Sequence, residues 1–451
     1  MEQSFISQKI AAIENTDFIH IPGPNPILIP GKPGSWDDGI LEACDIFKDA
    51  GKYYLYYHGR GNGENYRIGV AVSDSPLGPF VKYGNQPILD LKGFGVSDDA
   101  YIACGSVFKE SVDQYYLFYS LQQKSDPHNF YIGLATANHP LGPWIKYEKN
   151  PIMQNFGYVG GITKKDGKYY MFNEYPNRVQ ADDYGTISVA TADAPEGPWI
   201  PCREEPVMDV EDWGTWDDAG YSECNVKYDG NLFHMFYGGG KTHKIRLRSE
   251  ESVGYAYSVD GKHFTKYSKN PVARRENIAY GAAMAEVCFL MEYPYIYLYH
   301  TLRYSESWCQ DTEKKFPFAE HIGVEILSVA DRFCVSYPVY SIDILKPGER
   351  VSDPNKLPLT VAEANQFSLT VSCEFGEKAA SPLVISAYTG INEKDLDTEP
   401  YQSFTVPVSP GKKIQKTFTC PICARFVRFV AENTDNTSPV QNISLSITLK
   451  N

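Results

Sequence analysis

A short proline-anchored phrase returns five times along this chain: Asn25-Pro26-Ile27, Gln86-Pro87-Ile88, Asn150-Pro151-Ile152, Glu205-Pro206-Val207 and Asn270-Pro271-Val272. Successive prolines lie 61, 64, 55 and 65 residues apart. A period of that length means repeated units that bury their apolar faces against one another. A second phrase precedes the later copies: SDSPLGPFVKY (Ser73 to Tyr83), TANHPLGPWIKY (Thr136 to Tyr147), TADAPEGPWIP (Thr191 to Pro201) and SVDGKHFTKY (Ser258 to Tyr267). Each reads as a turn rich in Pro, Gly and Asp that leads into a short aromatic strand. Between these lie GKYYLYY, QYYLFY, GKYYMF, GNLFHMFY and PYIYLYH, aromatic runs with strand propensity. No segment sustains a 3.6-residue apolar pattern, so helical solenoids of similar period are excluded. Each unit therefore has about four short strands, and the expected fold is all-β: a five-bladed β-propeller.

At 451 residues the chain exceeds what one hydrophobic core spans. Residues 1–20 read as a lead-in and 21–345 as the propeller, with Phe333 to Leu345 supplying a closing outer strand. Lys346 to Pro358, rich in Pro, Gly and charge, reads as a linker. Residues 359–451 carry alternating strands (FSLTVSCEF, PLVISAY, ARFVRFVAEN, ISLSITL) and are expected to form a jelly-roll-like β-sandwich. This module either binds sugar or braces the propeller.

A net charge of -14 excludes nucleic acid as a partner, and no apolar run reaches membrane-spanning length. No secretion signal is visible at the N-terminus, so a cytoplasmic location is expected. In that setting the ten cysteines are read as buried thiols, and the single Cys420/Cys423 pair lacks the partners of a zinc site.

In a propeller, residues just before the first strand and just after the second strand of each blade converge on one mouth of the central channel. Before the first strands stand Asp37, Asp38, Glu42 and Asp45 in blade one, Asp98 and Asp99 in blade two, Asp217, Asp218 and Glu223 in blade four, and Glu286 in blade five. Blade three has only FGYVGGI there. After the second strands come His58 and Arg60, Gln122 and Gln123, Asn173 and Glu174, Gly238 to Gly240, and His300 with Arg303. A ring of carboxylates with His and Arg suits glycoside hydrolysis, one carboxylate acting as base or nucleophile and a protonated one as acid. The Asp-Asp pairs after Trp36 and Trp216 also suit turn caps. The two tryptophans occupy matching places and suit either sugar stacking or packing.

These residues resemble the five-bladed propeller glycoside hydrolases, the group of arabinanases, β-xylosidases, β-fructosidases, levansucrases and neoagarobiose hydrolases. The resemblance covers about residues 20 to 345, with a β-sandwich commonly behind it. Its strongest local match is W-D-D before an acidic, then aromatic, strand. A Trp-Asp pair carries the nucleophile in levansucrase-like members, which points to Asp37, and the blade-one base of family 43 points to Asp37 or Asp38. Ser222-Glu223-Cys224 resembles the Glu-Cys acid motif of β-fructosidases, although it stands in blade four. Blade three lacks the family 43 acid, for which Glu174 is the available substitute. Acids on blades one, four and five resemble family 117 more.

The expectation is an exo-acting hydrolase of a small plant or algal oligosaccharide. Asp37 or Asp38 acts as base or nucleophile, Glu223 or Glu286 as acid, and Asp99, Asp218 and Glu174 support them. Trp36, His58, Arg60, Trp216, His300 and Arg303 bind substrate. On this reading Asp37→Asn and Glu223→Gln each abolish turnover of a sugar still bound. No cofactor is required, no metal ligand set is identifiable, and the acidic channel would accommodate a structural cation such as calcium. Two rivals remain. One is a family 130-like glycoside phosphorylase, with Arg60, His58, Lys241, His243 and Arg246 as phosphate-binding material; the other is a non-catalytic carbohydrate-binding propeller. The sequence does not set the oligomeric state.

Overall fold

The computed structural model describes residues 2–61, 65–91, 99–154, 156–176, 185–202, 207–208, 214–218, 220–240, 251–277, 283–303, 320–352, 358–392 and 395–451. Within these, the side chains of 2–3, 99–100, 127–128, 175–176, 185 and 303 are outside the description. The chain is nearly all β, with one longer helix, α1 (Glu2–Asn15), that the sequence reading did not anticipate. Its Lys9 meets Asp229 at 3.0 Å and its Glu14 accepts from Tyr257 at 3.0 Å. The chain divides into two compact units, the larger holding residues 27–275 and 281–324 together with the N-terminal helix, the smaller chiefly residues 325–451.

In the larger unit the aromatic runs form strands flanked by two others in antiparallel order, as their alternating β-branched and aromatic residues require. Five strands, here called the inner strands, begin successive sheet units: β1 (Ile40–Asp49), β2 (Asp99–Ser111), β3 (Tyr158–Lys165), β4 (Gly220–Tyr228) and β5 (Ala283–Glu292). They contact one another in cyclic order, β1 to β5 and back to β1. The sheets that begin with β3 and β4 are joined at a single residue pair, Gly185 with Tyr221.

The repeated phrase has one structural task. The amides of Ile88, Ile152, Val207, Val272 and Ile27 donate to the carbonyls of Ile68, Ile132, Ile187, Val253 and Ile322, at 2.8 to 3.2 Å. Each acceptor lies on the third strand of a unit. The first copy of the phrase thus binds the last unit, which closes the cycle without a free edge. The asparagine adds to this. Asn150 accepts from Leu134 N–H at 2.9 Å and donates to Leu134 C=O at 2.9 Å and to Tyr119 Oη at 3.0 Å. Asn270 repeats the pattern on Tyr255 and Tyr237. Beneath those tyrosine rings lie Gly133 and Gly254, where a Cβ would strike the ring.

A buried carboxylate, Asp45 of β1, only 3% exposed, links several of the inner strands. It accepts from Ser106 Oγ at 3.1 Å and Val107 N–H at 3.0 Å on β2, and from Asn225 Nδ2 at 3.4 Å on β4. Ser106 Oγ in turn accepts from Ile162 N–H on β3 at 3.2 Å.

The smaller unit contains two antiparallel sheets. One runs Cys334–Leu345, Val440–Lys450, Gln366–Phe375, Lys413–Pro421; the other runs Arg350–Ser352, Phe426–Asn433, Leu383–Gly390, Gln402–Val406. Phe367 of the first sheet meets Phe404 and Phe429 of the second at 6.4 and 5.7 Å between ring centroids. Cys334–Leu345 therefore does not supply the closing outer strand expected of it. Its register pairs it with Val440–Lys450, and Ile19–Pro22 is the strand that pairs with Glu325–Ser328. Part of the expected linker, Arg350–Ser352, is also a paired strand.

Replacing Asn150 with alanine strands the buried amide of Leu134, while the Leu134 carbonyl keeps the Tyr147 N–H at 2.8 Å. The expected cost is about 2–3 kcal/mol, read as a lower urea midpoint with an unchanged slope.

A candidate active site on the axis of the inner strands

Each inner strand carries a β-bulge near the same level. The register slips at Ala43/Asp45, Ala103/Ser106, Val159/Gly161, Tyr221/Cys224 and Ala285/Cys288. A bulge turns the extra residue out of the ladder and re-aims its side chain. The residues so displaced include Cys44, Cys104, Gly160, Glu223 and Glu286, and all five line one small axial pocket. Cys104 and Glu286 reach it with φ of +50° and +45°, a left-handed conformation that side-chain-bearing residues adopt only where the surroundings enforce it. Gly160 contributes no side chain because none fits: a Cβ there would collide with the Cys224 carbonyl. The missing acid of blade three thus has a packing cause, the close approach of β3 to β4.

Three carboxylates converge on the Cys104 thiol. Burial first, then the charges of Glu223 and Glu286 with a smaller contribution from Glu42, hold that thiol protonated well above its ordinary range. Its Sγ stands 3.7 Å from Glu223 Oε1. Glu174 joins from the third unit: with burial leading, Glu174 and Glu223 both raise the Cys224 thiol and the Tyr158 hydroxyl. Glu42 is hydrogen-bonded to Nε2 of His58, and His58 Nδ1 lies 3.2 Å from both Cys44 Sγ and Cys104 N. Near Cys104 and Glu42 lies an aromatic cluster in which His58, Tyr66 and Tyr101 pack edge to face at 4.9 and 5.4 Å. Phe130 lies against Tyr158 at 4.5 Å, and Arg60 sits over Tyr66 at 5.0 Å. Acids near aromatic rings are a combination that holds a sugar ring and can act on its glycosidic bond.

The W-D-D segments go elsewhere. Asp37 is buried against Lys82 Nζ at 2.6 Å and Tyr57 Oη at 3.1 Å. Asp217 repeats this with Lys266 Nζ at 2.8 Å and Tyr237 Oη at 3.4 Å. Asp38 and Asp218 accept the amides of Gly34 and Gly214 at 2.6 and 2.7 Å, the turn cap for which Asp is suited. Trp36 stacks on Tyr57 and Trp216 packs on Tyr237, both at 5.8 Å. None of these six residues lines the axial pocket. Among the other expected site residues, His300 is fully buried across the ladder from the Glu286 bulge. Asp99 and Arg303 lie on strands, with side chains outside the description, and Asp98, Lys241, His243 and Arg246 fall outside the described residues.

Two groups of residues escaped the sequence reading. Glu251 and Glu320 are buried acids whose carbonyls accept the amides of Met284 and Leu41 on the next inner strand. Cys44 and Cys104 form the pocket floor, and a signal existed for them. ILEACDIF, YIACGSVF, YSECNVKY and AEVCFLM each place a cysteine near the bulge of an inner strand. The nine described cysteines are all thiols, as the composition suggested. Among the described residues no group of three His, Cys, Asp or Glu side chains is spaced to hold a metal ion. Among the described residues no helix is long and apolar enough to cross a membrane.

No family model matches the chain. A xylosidase/arabinosidase of Bacteroides ovatus is 34% identical over 84 residues, 19% of this chain and 23% of that protein. The extracellular endo-α-(1→5)-L-arabinanase 2 of Bacillus subtilis is 28% identical over 205 residues, 42% of this chain and 43% of that protein. The chain thus spans less than half the length of each. Among solved structures, a Bacteroides ovatus protein assigned as a glycoside hydrolase superposes with a TM-score of 0.51 at 16% identity, over 68% of this chain and 96% of that one. That last likeness is one of fold, and it supports the β-propeller expected from the repeat. The comparisons bear out the resemblance read from the sequence: this chain is similar to the propeller glycoside hydrolases, and to family 43 xylosidases and arabinanases in particular.

Proposed function

We propose that the chain is a glycosidase that removes a terminal sugar from a small plant or algal oligosaccharide, built as a five-bladed propeller followed by a β-sandwich. The observation that carries this reading is the convergence of bulged inner-strand residues, Glu223 and Glu286 among them, on one axial pocket, with Glu42 held against its lining through His58 and Cys44. Counting the strands joined at Gly185 and Tyr221 as two blades makes five. The pocket is small, and a small pocket suits a chain end rather than the middle of a polymer. The similarity to xylosidases and an arabinanase supports a pentose-containing substrate.

Glu42, which accepts a hydrogen bond from His58, is placed to stay ionised and serve as base or nucleophile. Where carboxyls crowd together, keeping one protonated relieves their repulsion; Glu223 or Glu286 then supplies the proton to the leaving oxygen, with Glu174 in support. This moves the base from Asp37 or Asp38, whose partners make them parts of turns, to Glu42. The distance between the acid and base carboxyls sets the stereochemical outcome, about 5 Å for retention and about 6.5–9.5 Å for inversion.

The test is turnover of chromogenic pentosides, galactosides and fructosides. Glu223→Gln and Glu42→Gln each lower kcat at least about a hundredfold on the sugar that is cleaved, with binding retained; full activity in both variants refutes the assignment. Asp37→Asn behaves differently, losing about 1–3 kcal/mol of stability through its broken buried pair while the folded fraction keeps its kcat. A kcat collapse in folded Asp37→Asn would return the base to Asp37.

A further inference from the structure

We propose that Cys44, His58 and Glu42 form an activated-thiol triad at the floor of the axial pocket, a covalent modification site for small soft electrophiles. The geometry is that of a nucleophile, a base and an orienting carboxylate. Cys44 Sγ lies 3.2 Å from His58 Nδ1, and the opposite ring nitrogen, Nε2, is hydrogen-bonded to Glu42. That is the arrangement by which an imidazole takes a proton from a neighbouring thiol while an acid holds the ring in place and stabilises its charge. His58 is 1% exposed and Glu42 6%, so the ring is locked, whereas Cys44 is only half-buried and lines the pocket.

The surroundings of the triad support the same reading. Burial disfavours a charged His58, but the Cys44 sulfur and the Glu42 carboxylate outweigh it and push the imidazole well above its ordinary range. Cys104 is the internal contrast. It borders the same pocket, yet burial and the charges of Glu223 and Glu286 hold it as the thiol. The groups that face His58 and Cys44 from other strands are Cys104 with its amide, Glu223, Glu286 and the edge of Tyr66. The Cys44 thiol meets an imidazole, whereas the Cys104 thiol meets the Glu223 carboxylate.

With iodoacetamide as the probe, the Cys44 sulfur attacks the methylene carbon. The S–C bond forms as the C–I bond breaks, iodide leaves, and the thiol proton passes to His58 Nδ1, which gives up the hydrogen bond it accepts from Cys104 N–H. The adduct then occupies the pocket beside Glu42, Glu223 and Glu286. Loss of turnover on labelling rests on the function proposed above; the labelling itself does not.

The native protein is treated with limiting iodoacetamide across pH 6 to 8, and each cysteine peptide is quantified by mass spectrometry. Cys334 and Cys423, both exposed, serve as internal references. At pH 7 Cys44 is expected to label at least about tenfold faster than either, despite its burial. Glu42→Gln cuts the Cys44 rate about tenfold and leaves Cys334 unchanged. Labelling of Cys44 no faster than Cys334 and Cys423 in the wild-type protein overturns the proposal, whatever the variant does.

Discussion

A single buried carboxylate holds the inner strands together. Asp45 gathers donors from β2 and β4, and Ser106 extends the network to β3. Lys227 of β4, 3.5 Å away, supplies a cation to a group otherwise sealed from water. A charge buried this deeply persists only where its oxygens are satisfied, and here the satisfying groups come from different sheets. The inner strands are thus tied to a common level, close in sequence to the residues that line a pocket.

That pocket is made by an irregularity. Five regular strands would point alternate side chains into and out of the sheets, and none would be aimed along the axis. The bulge in each inner strand breaks the alternation at one height and turns Cys44, Cys104, Gly160, Glu223 and Glu286 toward the same space. The left-handed backbone at Cys104 and Glu286 is a local cost of about 1–3 kcal/mol that the surrounding ring offsets. Gly160 shows the limit of the repeat: β3 approaches β4 so closely that only glycine fits, and the pocket is lopsided as a result. Glu223 and Glu286 line it where Gly160 brings no side chain, the asymmetry a directional binding site needs.

Much of this was legible in the sequence, because propeller strands are short and their turns carry Pro, Gly, Asn and Asp at set places. The phrase at Asn25, Gln86, Asn150, Glu205 and Asn270 marked the units correctly, since each copy makes the same amide bond to a third strand. Glu174, Glu223, Glu286 and His58 could be singled out as candidates because they adjoin recognisable strands, whereas His300, singled out in the same way, is fully buried. The W-D-D pairs misled for a physical reason: Asp caps a turn with the same carboxylate it would use in catalysis, and only the position of Lys82 or Lys266 tells the two apart. Those lysines lie 45 and 49 residues further along. Cys44 and Cys104 were passed over because a bulge is set by packing between strands, so the cysteine recurring in the inner strands marks its place only once the register is known. Cys334–Leu345 reads as a strand in any context, and its choice of partner depends on Val440–Lys450 at the far end of the chain.

The account stands or falls on where the sugar sits. A crystal structure of Glu223→Gln soaked with a short pentose-containing oligosaccharide that the wild-type enzyme cleaves addresses this directly. The expected result is a terminal sugar ring in the axial pocket, its anomeric carbon facing Glu42 and its glycosidic oxygen within hydrogen-bond reach of position 223 or of Glu286. A sugar bound instead against Trp36 and Asp37, or only in the C-terminal unit, would contradict it.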